Sequence, residues 1–142
     1  MASKTYHVPV DFSKGSEIAL DHAVKMAKEN RGKLLLLHVI STNFPYPMDA
    51  DYGNIFDILE KDARDDMRAL VRRKRLKPGR CRFVLITGIS PAEVIAGLAR
   101  KSRVSMIVMG SHGRTGFQRF VLGSVAERTL RHAHCPVLIV KK

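Results

Sequence analysis

The chain has 142 residues, enough for one domain that buries about two-thirds of the surface its unfolded form exposes. Hydrophobic residues at 45% and charged residues at 27% are ordinary for a globular protein, and no apolar stretch approaches the roughly 20 residues needed to cross a bilayer, so a membrane-spanning helix is excluded. The net charge of +12 draws nucleotides and polyanions, but it is screened over about 8 Å at physiological salt and by itself selects no ligand.

Residues 5–10, TYHVPV, read as a first strand, with Pro9 near its end, where the missing ladder donor costs least. Asp11-Phe12-Ser13 makes a turn, and Ser13 or Ser16 caps the helix that follows. In that helix Ile18, Ala19, His22, Ala23, Met26 and Ala27 form an apolar stripe with one histidine in it. Residues 33–40 are a second strand. Residues 41–53 form a connection rich in turn formers and about as long as ordinary loops become. Residues 54–77 are one long helix, with Ile55, Phe56, Leu59, Ala63, Met67, Leu70 and Val71 at helical spacing, and Pro78-Gly79 ends it.

Residues 81–87 are the third strand. Ser90-Pro91-x-Glu93 reads as a capping box opening a helix over 91–101 that buries Val94, Ile95, Leu98 and Ala99. The run Met106-Ile107-Val108-Met109 is a fourth strand, apolar without alternation, as in a parallel sheet covered on both faces. It stops at Gly110. Gly113 and Gly116 punctuate the loop that follows. After Gly123-Ser124, the residues Val125, Ala126, Thr129, Leu130 and Ala133 fall at helical spacing, and strand 136–141 closes the chain. Five strands alternating with four helices make a single doubly wound α/β domain over 1–142, two helices on each face of a parallel sheet.

A helix that begins after a glycine loop offers unpaired N–H groups and a positive dipole end, which together attract an anion. The basic residues are also unevenly placed. From Arg100 to Lys142 Glu127 is the only acid, and Arg72-Arg73-Lys74-Arg75-x-Lys77 closes the middle helix. Cys81 and Cys135 lack C-x-x-C spacing, which points to reduced thiols in a cytoplasmic protein rather than a disulfide or zinc site. The N-terminus shows no secretory apolar core. His132-x-His134-Cys135 has no second ligand cluster and reads as dipole compensation at a helix end. His7, His22 and His38 read as partly buried structural residues. No Walker loop, strand-following G-x-G-x-x-G or hydrolase nucleophile motif occurs, which favours binding over fast chemistry. Nothing places a general base against an attacking water, so no residue argues even for slow hydrolysis.

The arrangement Gly110-x2-Gly113-x9-Gly123-Ser124 resembles the nucleotide-binding signature of universal stress proteins. Segments 8–27, 34–40 and 134–141 resemble that family's first strand and helix, second strand and last strand; the middle third has no specific match. Some members of the family lack the glycine signature and do not bind ATP, whereas here it is intact. The resemblance implies a strand order of 3-2-1-4-5, and open α/β sheets bind ligands at such a reversal of order. It implies ATP or another adenine nucleotide, with Mg2+, and a homodimer formed through strand 136–141.

By the same resemblance Val39 offers its backbone to the adenine edge, and Asp11, after Pro9 and Val10, lies beside the ribose. Gly110 and Gly113, following Met109 of the same nucleotide-binding set, let the backbone approach ribose and phosphate, while Gly123, Ser124 and Val125 meet phosphate. His112 and Arg114 are candidate phosphate contacts, and Arg114 is the better suited because it is always charged. Each role has a plainer counterpart: turn glycines, a helix-capping Asp11, a solvated loop, and Ser124-x-x-Glu127 as a simple capping box. Two other functions are open, a basic nucleic-acid-binding module of nonspecific character and an adenine-nucleotide enzyme of the wider superfamily. Tryptophan and paired strand aromatics are missing for the first, and a glycine-pair loop after strand 1 is missing for the second.

Overall fold

The elements, in chain order, are β1 (Thr5–Pro9), α1 (Lys14–Glu29), β2 (Lys33–Ser41), α2 (Tyr52–Arg73), β3 (Cys81–Gly88), α3 (Pro91–Lys101), β4 (Met106–Gly110), α4 (Ser124–His132) and β5 (Val137–Val140). The computed structural model describes residues 3–43, 51–112 and 121–141. All strands are parallel and lie in the order β3-β2-β1-β4-β5. The expected fold class and strand order are therefore both found.

The core divides across the sheet because strand side chains alternate between faces. On β2, Leu34 and Leu36 pack with Ala19, Leu20 and Ala23 of α1 and Met67 and Leu70 of α2. Leu35 and Leu37 pack on the other face with Ile95 and Ala99 of α3 and Ala126 of α4. Two helices thus cover each face. Glu17 of α1 reaches Arg73 at 2.7 Å and Lys74 at 3.1 Å, which ties α1 to the end of α2.

Several expectations shift. The helix expected over 54–77 runs from Tyr52 to Arg73, so two residues assigned to the preceding loop belong to it, and residues 44–50 of that loop lie outside the described residues. Its end is set before Pro78-Gly79 is reached. Arg75 takes a left-handed conformation (φ 54°), Leu76 N–H donates to the Val71 carbonyl at 3.0 Å, and Leu76 packs against the core. This is the Schellman closure, in which a hydrogen bond reaching back five residues and an apolar contact stop the helix together. Ser90 is the N-cap of α3 and Pro91 its first residue, as expected, but no capping box forms, and the Ser90 hydroxyl is buried without a partner. His22 is exposed and His7 fully buried, so of the three histidines only His38 is half-buried as expected. Val125 and Leu130 face solvent; Ala126 and Thr129 are the residues α4 buries.

Candidate functional site

A cleft of about 860 Å³ opens at the carboxyl ends of β1, β2 and β4, where the strand order reverses. Its lining draws on the ends of three strands, on Ser16 of α1, on Pro91 and Ile95 of α3 and on the start of α4. Pro9, Val10 and Asp11 come from the end of β1, Val39 from β2, and Met109, Gly110, His112, Gly123, Ser124 and Val125 from β4 and the start of α4. Ten of the twelve residues singled out from sequence therefore meet in one space. The other two, Gly113 and Arg114, and with them Gly116, lie outside the described residues.

Asp11 is held by the turn it starts. Its Oδ1 accepts the Ser13 N–H at 2.9 Å and the Ser13 hydroxyl, while Ser13 caps α1 by accepting the Ser16 N–H at 3.2 Å. An aspartate bonding the amide two residues on is an Asx-turn, which fixes the carboxylate against the first turn of α1. Phe12, between them, takes a left-handed φ of 62°, and its ring lies 4.8 Å from that of His38. The His38 Nδ1–H donates to the Val10 carbonyl at 2.7 Å, binding the end of β1 to β2.

Val39 earns its place through backbone geometry. Along a parallel strand the peptide groups point alternately to one neighbour and then the other. On β2 the Lys33 N–H and the Leu37 carbonyl bond the β1 side, whereas the Leu34 and Thr42 N–H groups bond the β3 side. Val39 is in step with Lys33 and Leu37, but β1 ends at Pro9, opposite Leu37. Its N–H and C=O therefore face the gap beyond β1, which is the cleft.

The first turn of α4 closes the opposite wall. Gly123 is its N-cap and no side chain caps it; the first bond within the helix runs from Glu127 N–H to Gly123 C=O at 2.9 Å. The amides of Ser124, Val125 and Ala126 therefore have no partner within the helix, and all three residues line the cleft. The capping box considered for Ser124 and Glu127 is not formed. Ser124 sits one position inside the helix, and Glu127 pairs with Arg131 at 2.8 Å. His112 contributes a buried Nε2 without a partner among the described residues, while its Nδ1 shares a hydrogen bond with the Ser111 hydroxyl at 3.1 Å.

Gly110 and Gly123 also have a packing reason to be glycine. No described glycine has a positive φ. A Cβ on Gly110 would lie 3.0 Å from the carbonyl carbon and oxygen of Gly15, and one on Gly123 would lie 2.7 Å from the Ser111 carbonyl oxygen. These positions need glycine because backbone packs on backbone: the end of β4 presses on the start of α1, and Gly123 N–H donates to Ser111 C=O at 2.7 Å. Gly15, which would meet the His112 carbonyl at 2.9 Å, belongs to the same junction and went unnoticed in the sequence. His38, Ser16 and Ser41 also line the cleft unannounced. His38 could have been found from its place beside Val39 at the end of β2, but Ser16 and Ser41 carry no sequence signal. Among the described residues no three His, Cys, Asp or Glu side chains gather as a metal site.

Comparison with known proteins agrees with this architecture. The pattern of the universal stress protein family matches residues 4–141. Universal stress protein MJ0531 of Methanocaldococcus jannaschii is 33% identical over 138 residues, covering 95% of this chain and 80% of the relative. The solved structure of the hypothetical protein MJ0577 superposes with a TM-score of 0.87 at 30% identity, over 100% of this chain and 98% of that one. A universal stress protein solved in complex with cAMP shares the fold at 24% identity and a TM-score of 0.63, covering 99% of this chain and 98% of its own. From its first strand to its last, and through the cleft where its signature residues meet, this chain belongs to the universal stress protein family.

Proposed function

We propose that the cleft binds an adenine nucleotide, ATP foremost, and that the protein works as a stress-response regulatory module through nucleotide binding and homodimerisation, with at most slow hydrolysis. The observation that carries this reading is the meeting of Asp11, the outward-facing Val39 peptide groups and the uncapped start of α4 in one space. Each suits one part of a nucleotide. The Val39 N–H and C=O offer a donor and an acceptor to the adenine edge. Asp11 accepts from ribose hydroxyls. The Ser124, Val125 and Ala126 amides, the Ser124 hydroxyl and the α4 dipole receive phosphate. Mg2+ arriving on the phosphates would meet Asp11 rather than a preformed cage, since the described residues hold none.

The outer edge of β5 has no strand partner among the described residues, and Val137, Leu138 and Ile139 are only half-buried. An apolar edge of this kind calls for cover, and pairing of residues 136–141 across a dimer axis supplies it. Both cysteines are free, and burial pushes the Cys81 thiol up to about 11, so it stays protonated and inert, which suits a reducing cytoplasm. Calorimetric titration with ATP, with mass spectrometry of any nucleotide carried through purification, tests the reading. Saturable binding is expected, and the absence of any heat at millimolar ATP would defeat it.

A further inference from the structure

Helices in a parallel α/β sheet run opposite to the strands, so all four helix C-termini gather at the amino end of the sheet, away from the cleft. The turns there are stitched together. Arg80 Nη1 and the Ser3 hydroxyl donate to the Arg31 carbonyl at 3.2 and 3.3 Å, Lys33 N–H to the Lys4 carbonyl at 2.8 Å, and Thr5 N–H to the Ser105 hydroxyl at 3.2 Å. In the segments forming this end, residues 3–5, 28–33, 72–82, 100–105 and 131–136, the sequence has a single acid, Glu29. Lys4, Arg31, Arg75, Lys77, Arg80 and Arg103 are exposed on it.

Three of these cations stand on backbone where any side chain is disfavoured. α1, α2 and α3 all end in the same closure, with Gly32, Leu76 and Val104 N–H groups bonding back to Ala27, Val71 and Ala99 carbonyls at 2.8, 3.0 and 3.1 Å. In each, the left-handed residue is an arginine: Arg31 (φ 52°), Arg75 (φ 54°) and Arg103 (φ 50°). Glycine is the usual occupant because a Cβ is strained there. Strain repeated at one end of the molecule, each time to present a guanidinium, points to use rather than to stability. Compensating the helix dipoles asks for about half a charge per helix end, and the end of α2 alone carries Arg72, Arg75 and Lys77 beyond the residues paired with α1.

We infer that the amino end of the sheet is a docking surface for double-stranded nucleic acid, held through its phosphates without reading base sequence. Guanidinium groups on a rigid platform suit phosphate pairs. Single strands are disfavoured because stacking needs exposed aromatics, and here Tyr6 is buried and Phe83 half-buried. A bilayer is disfavoured because the large exposed apolar side chains among the described residues lie elsewhere: Ile89, Val121 and Val125 at the cleft end, and Ile58 and Leu130 within helices.

The test uses fluorescence anisotropy of a labelled 24-base-pair DNA duplex with the full chain at about 50 and 200 mM salt. Two variants of equal net charge are compared with the parent. One is Arg31→Gly/Arg75→Gly/Arg103→Gly, which keeps the helix closures; the other is Lys25→Gln/Lys61→Gln/Arg68→Gln, which removes three cations from helix flanks. The parent should bind in the micromolar range with a steep salt dependence. The glycine variant should lose at least tenfold in affinity, its log–log salt slope shallower by about 3, while it melts at a higher temperature and still binds ATP as the parent does. The flank variant should change far less. Equal losses in both variants would reduce the effect to net charge and overturn the assignment. So would unchanged binding in the glycine variant, no duplex binding by the parent, or capture by phosphatidylserine vesicles in preference to the duplex.

Discussion

Ser124 is a residue whose two readings are separated by one position in a helix. As an N-cap its hydroxyl would support α4; one step inside, it supports nothing in the described chain and faces the cleft. Ser124→Ala should therefore leave the melting temperature within about 1 °C of the parent yet weaken ATP roughly 10- to 100-fold, the worth of a hydrogen bond to a charged group. Calorimetry beside thermal melting checks both halves. His7 is the opposite kind of residue, structural and titratable. It is fully buried in β1, its Nδ1–H donates to the Leu35 carbonyl at 3.1 Å, and burial, only partly offset by that carbonyl, pulls its pKa below the usual 6.5. The folded state thus prefers the neutral ring. The stability this gives is fully present above about pH 6.5 and is lost as pH falls below that value towards the folded pKa. His7→Gln keeps a donor without the titration, so its melting temperature should fall less than the parent's between pH 7 and pH 5. Parallel curves for the two proteins would exclude His7 as the source.

At the scale of elements, the junction of β4, α1 and α4 carries the cleft. Gly15, Gly110 and Gly123 bring three backbone segments closer than any side chain allows. The nearest atoms to the missing Cβ groups are backbone, which cannot swing aside. Gly123→Ala should cost about 1–3 kcal/mol, seen as a drop in urea midpoint, and should weaken ATP because the Ser124 and Val125 amides move with it. A wild-type midpoint would mean that the Ser111–Gly123 contact is slack. α2 shows how an element boundary is decided by the core: Leu76 is drawn back onto the core, and Arg75 turns left-handed to let it.

The whole molecule is polar from end to end. Among the described residues one end holds the N-termini of the four helices and the cleft, and the other holds their C-termini and most of the unpaired cations. Between them β5 leaves one edge without a strand partner among the described residues, so light scattering coupled to gel filtration should give a mass of about twice 15.9 kDa. A monomer at tens of micromolar would show that the edge is tolerated without a partner.

The sequence by itself determined the number, kind and order of the elements, because alternation and helical spacing are local patterns that burial enforces strongly. Its resemblance to a known family also marked the three stretches that meet at the cleft, of which only the glycine-spaced one after β4 departs from those local patterns. What it could not contain was distance. That Ser124 lies inside α4 rather than capping it, that Val39 faces past the end of β1, and that Gly110 packs against the backbone of Gly15 all depend on contacts between residues far apart in the chain. Such contacts exist only once the sheet has set its register and the helices have docked, so tertiary structure alone decided them.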